Sequence, residues 1–460
     1  MTETEISLLL NSQREYYKSG NTLPISFRKA QLKKLYFAVK ERENELNEAL
    51  RQDLGKSDFE AFLCESGFVL TEISHMIKNL KRYAKPKKVR TPIAQFHSKS
   101  YILPTPMGNT LIMSPWNYPL LLTLGPLTNA IAAGNTAIVK PSAYSPATSA
   151  AIKRLISDCF PPEYVAVVTG GRQENSALLD QKFDLIFFTG SQSVGKEVLR
   201  HAAKNLTPSI LELGGKSPCI VDSSADIKLS AKRIVFGKYL NCGQTCVAPD
   251  FIFCESTIKD ELIENIKLQI KTQFGEHPLE NENFGKIINE KHFDRLLSLI
   301  DQNKVIHGGN YNRETLKIEP TVIDNVSFDD AIMQEEIFGP LLPILTFDSF
   351  DTVISTLKNQ NHPLALYIFS KDKAHTERIT REISFGGGCV NDVIIHLATS
   401  EMGFGGVGES GMGAYHGKVG FDSFSHKKSI VDKKTWIDLP MRYQPYGKPI
   451  NEKLVRFFLK

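Results

Sequence analysis

The chain has 460 residues, a formal net charge of +4, 42% hydrophobic residues and 23% charged residues. These values are those of an ordinary globular protein, and the small net charge gives no indication of a nucleic-acid partner. The length predicts at least two domains, because a single hydrophobic core stops growing beyond roughly 300 residues. Seven cysteines at irregular spacings predict free thiols in a reducing compartment. No stretch reaches the roughly 18 apolar residues of a membrane span, so we expect a cytoplasmic protein that does not cross a membrane.

The first 104 residues divide into a helical part and an extended part. Within residues 3–84, apolar residues recur at three- and four-residue spacing, as in Leu32, Leu35 and Val39, which predicts helices that cover a sheet. Residues 85–104 break this rhythm with three prolines, a cluster of Lys and Arg, and alternating apolar residues. This pattern predicts an extended arm or a bridging pair of strands, and the basic cluster is more often a solvated face than an anion site.

Residues 109–206 alternate short apolar runs with helical segments. The predicted strands are 110–113, 136–139, 165–168 and 184–188, and the predicted helices are 120–133, 147–159 and 194–204. Strands that alternate with helices at this spacing predict a parallel sheet with helices on both faces. Sheets of this kind bind nucleotides at their carboxyl edge.

A second alternating set begins at Gly214. Its predicted strands are 219–221, 251–254, 341–345 and 364–369, with helices at 259–272 and 374–383 among others. We therefore expect a second α/β domain. After Phe421 the pattern is lost, and Pro440, Pro445 and Pro449 predict an irregular or extended tail.

Candidate ligand-binding residues stand at the ends of the first set of strands. A strand runs through Gly190 and Ser191 into a helix that includes Val194, so free backbone amides could face a phosphate. The full GxGxxG pattern is absent, and an ordinary strand-to-helix turn is an equally good interpretation. Lys140 ends a strand where open α/β sheets place ligands, although a lysine there is often simply solvated. Asn117 could donate a hydrogen bond to an oxyanion, and capping of the following helix is an equally good interpretation.

The most informative chemistry lies in the segment 241–250. A thiol is the side chain best suited to attack a carbonyl near neutral pH without a metal, and Cys246 stands in a polar, glycine-containing loop. Glu212, about thirty residues earlier, is a carboxylate that could act as its base. Cys242 lies four residues before Cys246, but no further soft ligands at matching spacing support a zinc site.

Two later segments suggest ligand contacts. Glu335 and Glu336 precede Phe338 and a tight turn, so a carboxylate there could hold ribose hydroxyls while the aromatic ring packs beside a cofactor. A loop with a solvated acidic face is the alternative. The glycine-rich run 403–413 implies close backbone approach to a ligand or to a neighbouring segment.

Taken together, these segments resemble the aldehyde dehydrogenase superfamily over nearly the whole chain. The matching segments, in the family's order, are Pro115-Trp116-Asn117, Lys140-Pro141-Ser142, Phe188-Thr189-Gly190-Ser191, Glu212-Leu213-Gly214-Gly215-Lys216, Gly243-Gln244-Thr245-Cys246, Glu336-Ile337-Phe338-Gly339-Pro340 and the closing glycine run. The short N-terminus and the segment 410–418 look most like the class 3, or fatty and aromatic aldehyde, branch.

The resemblance implies roles for individual residues. Cys246 resembles the nucleophile, Asn117 the oxyanion amide and Glu212 the general base. The residues that resemble cofactor contacts are Trp116, Lys140, Gly190, Ser191, Val194, Glu336 and Phe338. Phe68 and Tyr118 resemble substrate-pocket positions, and Phe236 and Leu240, which share one helix face, are further candidates whose alternative is core packing. We expect oxidation of medium or long aliphatic, or aromatic, aldehydes to carboxylic acids.

One departure from the family pattern concerns the cofactor. Ala143 follows Lys140-Pro141-Ser142 where many relatives have a glutamate that binds the ribose 2′-hydroxyl and repels a 2′-phosphate. Its absence predicts use of both NAD and NADP.

The resemblance also predicts the architecture. We expect an α/β protein with a Rossmann-like NAD(P)-binding domain (1–84 and 105–211), a catalytic domain (212–420) and a small β oligomerisation arm (85–104 and 421–460) in a homodimer. A coenzyme A-acylating dehydrogenase and a non-catalytic thiol metal or redox protein are the alternatives; the acylating class typically lacks the water-activating glutamate.

Overall fold

The computed structural model describes residues 1–459 and begins with a helical layer followed by two strands. The elements are α1 (Glu3–Lys18), α2 (Ile25–Glu41), α3 (Glu43–Leu54), α4 (Asp58–Ala61), α5 (Gly67–Tyr83), β1 (Lys87–Val89) and β2 (Ser98–Pro106). A π-helical turn, Phe62–Ser66, joins α4 to α5. Leu32, Leu35 and Val39 of α2 are fully buried, which confirms the predicted amphipathic face.

The next segment builds the first parallel sheet. Its elements are β3 (Asn109–Met113), α6 (Leu121–Ala133), β4 (Thr136–Lys140), α7 (Pro146–Cys159), β5 (Val165–Val167), α8 (Arg172–Leu179), β6 (Leu185–Gly190), α9 (Gln192–Asn205) and β7 (Ser209–Leu213). The strands lie in the order β5-β4-β3-β6-β7 and run parallel. β3 and β4 are buried throughout, as expected for strands covered on both faces.

A second mixed sheet follows. Its elements are β8 (Pro218–Val221), α10 (Ile227–Tyr239), β9 (Phe251–Glu255), α11 (Lys259–Phe274), α12 (Glu290–Ser298), β10 (Val305–His307), β11 (Tyr311–Asn312), β12 (Lys317–Ile318), β13 (Thr321–Ile323), α13 (Ala331–Gln334), β14 (Leu341–Phe347), α14 (Phe350–Lys358), β15 (Ala365–Phe369), α15 (Lys373–Glu382) and β16 (Gly387–Val390). The order is β10-β13-β14-β9-β8-β15-β16, with β10 antiparallel to its neighbour, and β11 and β12 form a separate hairpin.

The last segment returns to the first sheet and then to the arm. It contains β17 (Gly411–Met412), α16 (Gly417–Ser423), β18 (Ser425–Lys433) and α17 (Pro449–Phe458). β17 pairs antiparallel with β7, opposite Glu212. The expected boundary between residues 211 and 212 therefore falls inside β7, a strand of the first sheet. β18 pairs with β2 along nine residues, and β1 completes a three-stranded antiparallel sheet.

The tail is extended in the strand β18, as expected, but it ends in the helix α17. Pro449 occupies the first turn of this helix, where a missing backbone N–H leaves no hydrogen bond unmade. The proline was therefore a helix-start signal rather than a sign of irregular chain. Within residues 1–459 the structure contains no helix with the length and apolarity that a bilayer crossing requires.

Candidate active site

A cleft of about 670 Å³ opens at the carboxyl edge of the first sheet. The chain runs outward from β3 to β4 and β5 and then returns to place β6 on the other side of β3. Ligands of doubly wound sheets bind where the strand order reverses in this way. The predicted site residues that line the cleft are Trp116, Asn117, Gly190, Ser191, Glu212, Cys246, Glu336 and Phe338. The cleft thus joins the ends of β3 and β6 to loops of the second α/β unit.

Cys246 lies at the end of a tightly folded loop that follows α10. Asn241, Cys242 and Gly243 have φ values of 52°, 53° and 73°, three successive left-handed residues. A Cβ at Gly243 would lie 2.2 Å from the carbonyl oxygen of Gly339, so only glycine fits there. Left-handed non-glycine residues cost of order 1 kcal/mol or more each and persist where the surroundings hold them. Strain of this kind is concentrated here at the candidate nucleophile.

Gln244 supplies much of the support for this loop. Its amide nitrogen donates to the carbonyl oxygens of Asn241 at 3.1 Å and Lys286 at 3.0 Å, and its amide oxygen accepts from the backbone N–H of Ile288 at 3.0 Å. Gln244 is fully buried. The side chain therefore ties the loop to the segment before α12 and fixes the position of Cys246.

Two carboxyl groups flank the thiol, and burial is the largest cause of the raised pKa in all three groups. Burial raises the pKa of Cys246, and the nearby Glu336 and Glu212 raise it further. Glu212 is 2% exposed and neither of its carboxyl oxygens has a hydrogen-bond partner within residues 1–459, so burial raises its pKa well above the ordinary value. Burial, followed by the charge of Asp250, raises the pKa of Glu336 to about 8. Burial therefore favours the protonated form of all three groups.

Asn117 is positioned by contacts with the nucleophile loop rather than by capping. Its side-chain nitrogen donates to the carbonyl oxygen of Gln244 at 2.9 Å, two residues before Cys246. The first amides of α6, Leu120 and Leu121, donate instead to Glu65 at 2.8 and 3.0 Å. The interpretation of Asn117 as a helix cap is therefore wrong, because a carboxylate from another helix fills that role.

The strand-end residues form a polar rim at the first sheet. Ser191 caps α9 by accepting from the backbone N–H of Val194 at 3.5 Å, which leaves the helix N-terminus at the cleft. Val194 itself is 42% exposed on the first turn of α9 and is outside the cleft lining. Lys140 is 3% exposed and donates to the carbonyl oxygen of Pro141, so the solvated interpretation is wrong. Burial lowers the pKa of Lys140 to about 8.

The opposite wall of the cleft carries the glutamate and the aromatic residues. A Cβ at Gly214 would lie 2.0 Å from Glu336 Oε2, so the glycine allows the carboxyl group to reach this backbone. Glu336 Oε1 is buried without a hydrogen-bond partner in the described chain. Trp116 packs edge-to-face on Phe338 with ring centroids 5.3 Å apart. A helix N-terminus and an unpartnered acceptor along one cleft, with the buried cation Lys140 at the end of a neighbouring strand, fit a dinucleotide.

Several residues of this wall were missed by sequence reasoning. His292 lies 5.0 Å from the Trp116 ring, and burial lowers its pKa to about 4, so it is a neutral ring partner. Arg295 donates to the carbonyl oxygens of Glu336 and Ile337 at 3.3 and 2.5 Å. Lys216 contacts Asp250 at 2.5 Å. The opposite charges of Lys216 and Asp250 could have indicated an ion pair from the sequence. His292 and Arg295 stand on a helix with no recognisable motif.

The four predicted substrate-pocket residues lie outside the lining of this cleft. Tyr118 is 8% exposed, and its hydroxyl lies 2.6 Å from the hydroxyl of Thr245, the neighbour of Cys246. Leu240 packs against the hydrophobic cores of both α/β units. Phe236 is 39% exposed on α10, and Phe68 is half-buried on α5. Tyr118 and Leu240 are thus adjacent to the nucleophile loop, and the backbone carbonyl of Phe236 accepts a hydrogen bond from the N–H of Leu240.

The other cysteine of the loop has a different environment. Cys242 is 1% exposed, and its sulfur lies beside Gly285. Burial raises its pKa well above the ordinary thiol value. All seven cysteines are free thiols.

A doubly wound sheet that faces a second α/β unit across a thiol-containing cleft defines a dinucleotide-dependent oxidoreductase fold. The model of the aldehyde dehydrogenase family matches residues 1–430. The 4,4′-diaponeurosporen-aldehyde dehydrogenase of Staphylococcus aureus is 47% identical over 97% of both chains, and aldehyde dehydrogenase family 3 member H1 of Arabidopsis thaliana is 43% identical over 96% of this chain and 93% of its own. A solved structure described as the substrate-bound state of Staphylococcus aureus AldH has a TM-score of 0.97 and 45% identity over 99% of both chains.

The chain therefore belongs to the aldehyde dehydrogenase family, and its similarity to a family 3 member confirms the resemblance to the class 3 branch. It is an NAD(P)-dependent oxidoreductase that acts on aldehydes. The expected α/β fold is likewise confirmed.

Proposed function

We propose that this protein oxidises hydrophobic aldehydes to carboxylic acids through a thioester on Cys246, with Asn117 as the oxyanion amide and Glu212 as the general base. The observation that carries this proposal is the convergence of these three side chains on one cleft. They come from a β3 loop, from β7 and from the loop after α10, segments that are far apart in the sequence. Core packing alone does not require a thiol, an amide and an unpartnered carboxyl group at one place.

The first half of the reaction begins when the Cys246 thiol gives its proton to water in the cleft. The Cys246 thiolate attacks the aldehyde carbon, and the carbonyl oxygen becomes an alkoxide that the Asn117 amide and the Cys246 backbone N–H stabilise. One oxyanion donor typically contributes about 3 kcal/mol to lowering the barrier. A dinucleotide held by Ser191, Glu336 and Phe338 would supply the acceptor for the hydride of this carbon, and Cys246 would then carry the acyl group as a thioester.

The second half is hydrolysis of the thioester. Glu212 takes a proton from water, whose oxygen attacks the thioester carbon and releases the carboxylic acid and the Cys246 sulfur. A carboxyl group with a raised pKa is a stronger base once ionised, which suits it to this step. The presence of Glu212 argues against the coenzyme A-acylating alternative, because that class typically lacks the water-activating glutamate. Burial of Cys242 beside Gly285 gives no support to a metal or redox pair with Cys246.

The proposal includes use of both NAD and NADP. The segment after β4 carries the exposed methyl group of Ala143 three residues after the buried cation Lys140. A 2′-phosphate near this position meets no carboxylate from residue 143 and is attracted by the lysine. A mouse relative, 41% identical over 93% of this chain, is named aldehyde dehydrogenase, dimeric NADP-preferring.

The proposed substrates are medium or long aliphatic, or aromatic, aldehydes. Phe68, Tyr118, Phe236 and Leu240 are the proposed apolar lining. The positions of Tyr118 and Leu240 beside the nucleophile loop support this assignment.

The domain roles and assembly form a further part of the proposal. Residues 1–84 and 105–211 bind NAD(P), residues 212–420 supply Cys246, and residues 85–104 and 421–460 form the arm of a homodimer in the cytoplasm. Exposed apolar side chains on the arm support an interface, since monomers rarely expose such clusters. These are Ile93, Phe96, Trp436, Tyr446, Ile450 and Phe457.

The experiment is an aldehyde panel assayed for NADH and NADPH formation without added coenzyme A. The wild-type protein is expected to produce free carboxylic acid, and Cys246→Ser is expected to lose activity by at least a thousandfold. Cys242→Ser is the matched control in the same loop and is expected to retain activity. Near-normal rates from a folded Cys246→Ser protein would refute the proposal. A requirement for coenzyme A would favour the acylating class.

A further inference from the structure

A fully buried ion pair lies directly behind the candidate active site. Lys56 Nζ and Glu65 Oε1 are 2.5 Å apart, and both side chains are 0% exposed. The desolvation cost of burying two charges commonly cancels their attraction, so a buried pair is weak evidence for stability. The contacts of this pair therefore indicate what else it does.

Both members of the pair contact the turn that carries Asn117. Lys56 Nζ donates to the carbonyl oxygen of Asn117 at 3.1 Å and lies 4.1 Å from the centre of the Tyr118 ring. Glu65 Oε2 accepts from the backbone N–H groups of Leu120 and Leu121 at the start of α6. The pair thus fixes the peptide of Asn117 on one side and the following helix on the other.

The same segment also reaches the nucleophile loop. The backbone N–H of Asn241 donates to Glu60 Oε1 at 2.9 Å. The Asn241 side chain donates to the carbonyl oxygen of Asn117 at 2.8 Å, the same atom that Lys56 contacts. Asn241 is one of the left-handed residues before Cys246. The carbonyl oxygen of Asn117 therefore links the buried ion pair, through Lys56, to the nucleophile loop, through Asn241.

The helix that supplies Glu65 is irregular at this residue. Glu65 lies within the π-helical turn Phe62–Ser66, between α4 and α5. π-helical turns are rare and are found frequently at functional sites, because they change the direction of a side chain within a helix. This is an observation independent of the ion pair.

We propose that Lys56 and Glu65 are positioning residues that orient the Asn117 carboxamide toward the oxygen of the aldehyde bound at Cys246. The inference rests on the proposed oxyanion role of Asn117 and extends it to residues that touch neither substrate nor cofactor. Lys56 holds the main-chain carbonyl of Asn117, which limits rotation of that residue. Glu65 holds the two peptide groups that begin α6. A displacement of about 1 Å at a reacting group costs up to a hundredfold in rate.

The test is a double-mutant cycle between Lys56→Met and Asn117→Ala. Lys56→Met alone is expected to lower kcat by ten- to a hundredfold and to change the dissociation constant of NAD by less than threefold. In the Asn117→Ala background the same substitution is expected to lower kcat by less than threefold, because the group that it positions is already absent. Lys259→Met, which removes a partly buried ion pair with Asp324 in the second unit, is the matched control and is expected to leave kcat unchanged.

The outcomes separate the possibilities. If Lys56→Met slows both backgrounds by the same factor, the pair does not act through Asn117 and the inference is refuted. If Asn117→Ala itself retains full activity, the proposed oxyanion role is refuted, which is a different failure. Glu65→Gln is the second variant if Lys56→Met does not fold. The glutamine keeps an acceptor for the α6 amides. Glu65→Gln is expected to lower kcat by threefold to tenfold in the wild-type background and to have no effect in the Asn117→Ala background.

Discussion

The two large sheets each place an acidic residue at the carboxyl edge of their parallel strands, and the two residues have opposite environments. In the first sheet Glu212 is almost completely buried, and no hydrogen bond reaches either of its carboxyl oxygens from the described residues. In the second sheet Asp222, directly after β8, is 1% exposed. It accepts from the Ser224 backbone N–H at 2.9 Å, from the Ser224 and Ser370 hydroxyls, and from His375 Nδ1 at 2.8 Å.

This difference distinguishes a structural carboxylate from a chemically active one. Burial acts to raise the pKa of Asp222, but the hydrogen bonds from Ser224, Ser370 and His375 outweigh it and hold the pKa below the ordinary value. Burial acts alone on Glu212 and raises its pKa well above the ordinary value. A carboxylate whose oxygens already accept hydrogen bonds stabilises the fold. A carboxyl group without such bonds keeps its oxygens available to accept from water or substrate.

Among the variants that test this comparison, the largest effect is expected from Glu212→Gln. It removes the base while preserving shape, so kcat is expected to fall by about a hundred- to ten-thousandfold. Stopped-flow assays should still show a first turnover of NADH at each active site, because the acylation half of the cycle precedes the need for Glu212. The melting temperature is expected to be unchanged or higher. Normal steady-state turnover by this variant would contradict the assignment.

The counterpart at the second sheet is Asp222→Asn. It weakens the bonds from His375 and the two serines, so the free energy of unfolding is expected to fall by about 2 kcal/mol. Thermal unfolding monitored by circular dichroism measures this change. kcat at a temperature below the transition should remain within threefold of wild type. A large loss of kcat in the folded variant would mean that this polar cluster is not purely structural.

The segment that follows β4 has no carboxylate at residue 143, and a substitution can introduce one. Ala143→Glu, after β4, introduces a negative charge three residues after Lys140. It is expected to lower kcat/KM for NADP by ten- to a hundredfold through repulsion of the 2′-phosphate, while kcat/KM for NAD stays within threefold. Ala143→Gln has similar size without the charge and is the control. Equal losses for both cofactors would show that residue 143 is not near the 2′ position.

The smallest effect concerns the pH dependence of stability. The pKa of Glu336 is raised to about 8, so the stability that this group contributes is fully present below its unfolded pKa of about 4.5 and is lost as pH rises through 8. Glu336→Gln is therefore expected to be more stable than wild type at pH 8.5, with the difference disappearing near pH 4.5.

Thermal melts of the cofactor-free proteins across this range provide the measurement. Glu335→Gln, at the exposed neighbouring position, is the control. A stability difference for Glu336→Gln that does not change with pH would refute the raised pKa.

Most of the regular structure could be predicted from local patterns, and most of the errors concern long-range partners. The strands at 110–113, 136–139 and 251–254 are confirmed within one or two residues, because runs buried on both faces leave a clear apolar signal. The short strand β17 has no such signal, since two residues beside glycine become a strand only by pairing with β7. The helix α17 was not predicted, because Pro449 disfavours a helix interior but is well tolerated in the first turn, where it stands.

The sequence by itself determined the family, the alternation of strands and helices, and the identity of Cys246, Glu212 and Asn117 as candidates, because these depend on residue type and short spacing. Only the tertiary structure decided that the amides of α6 are capped by Glu65, that Lys140 is buried, and that Lys56 meets the Asn117 carbonyl. Hydrogen bonds and desolvation depend on which atoms are neighbours in space, and Lys56 and Asn117 are 61 residues apart in the chain. No local pattern encodes such a contact.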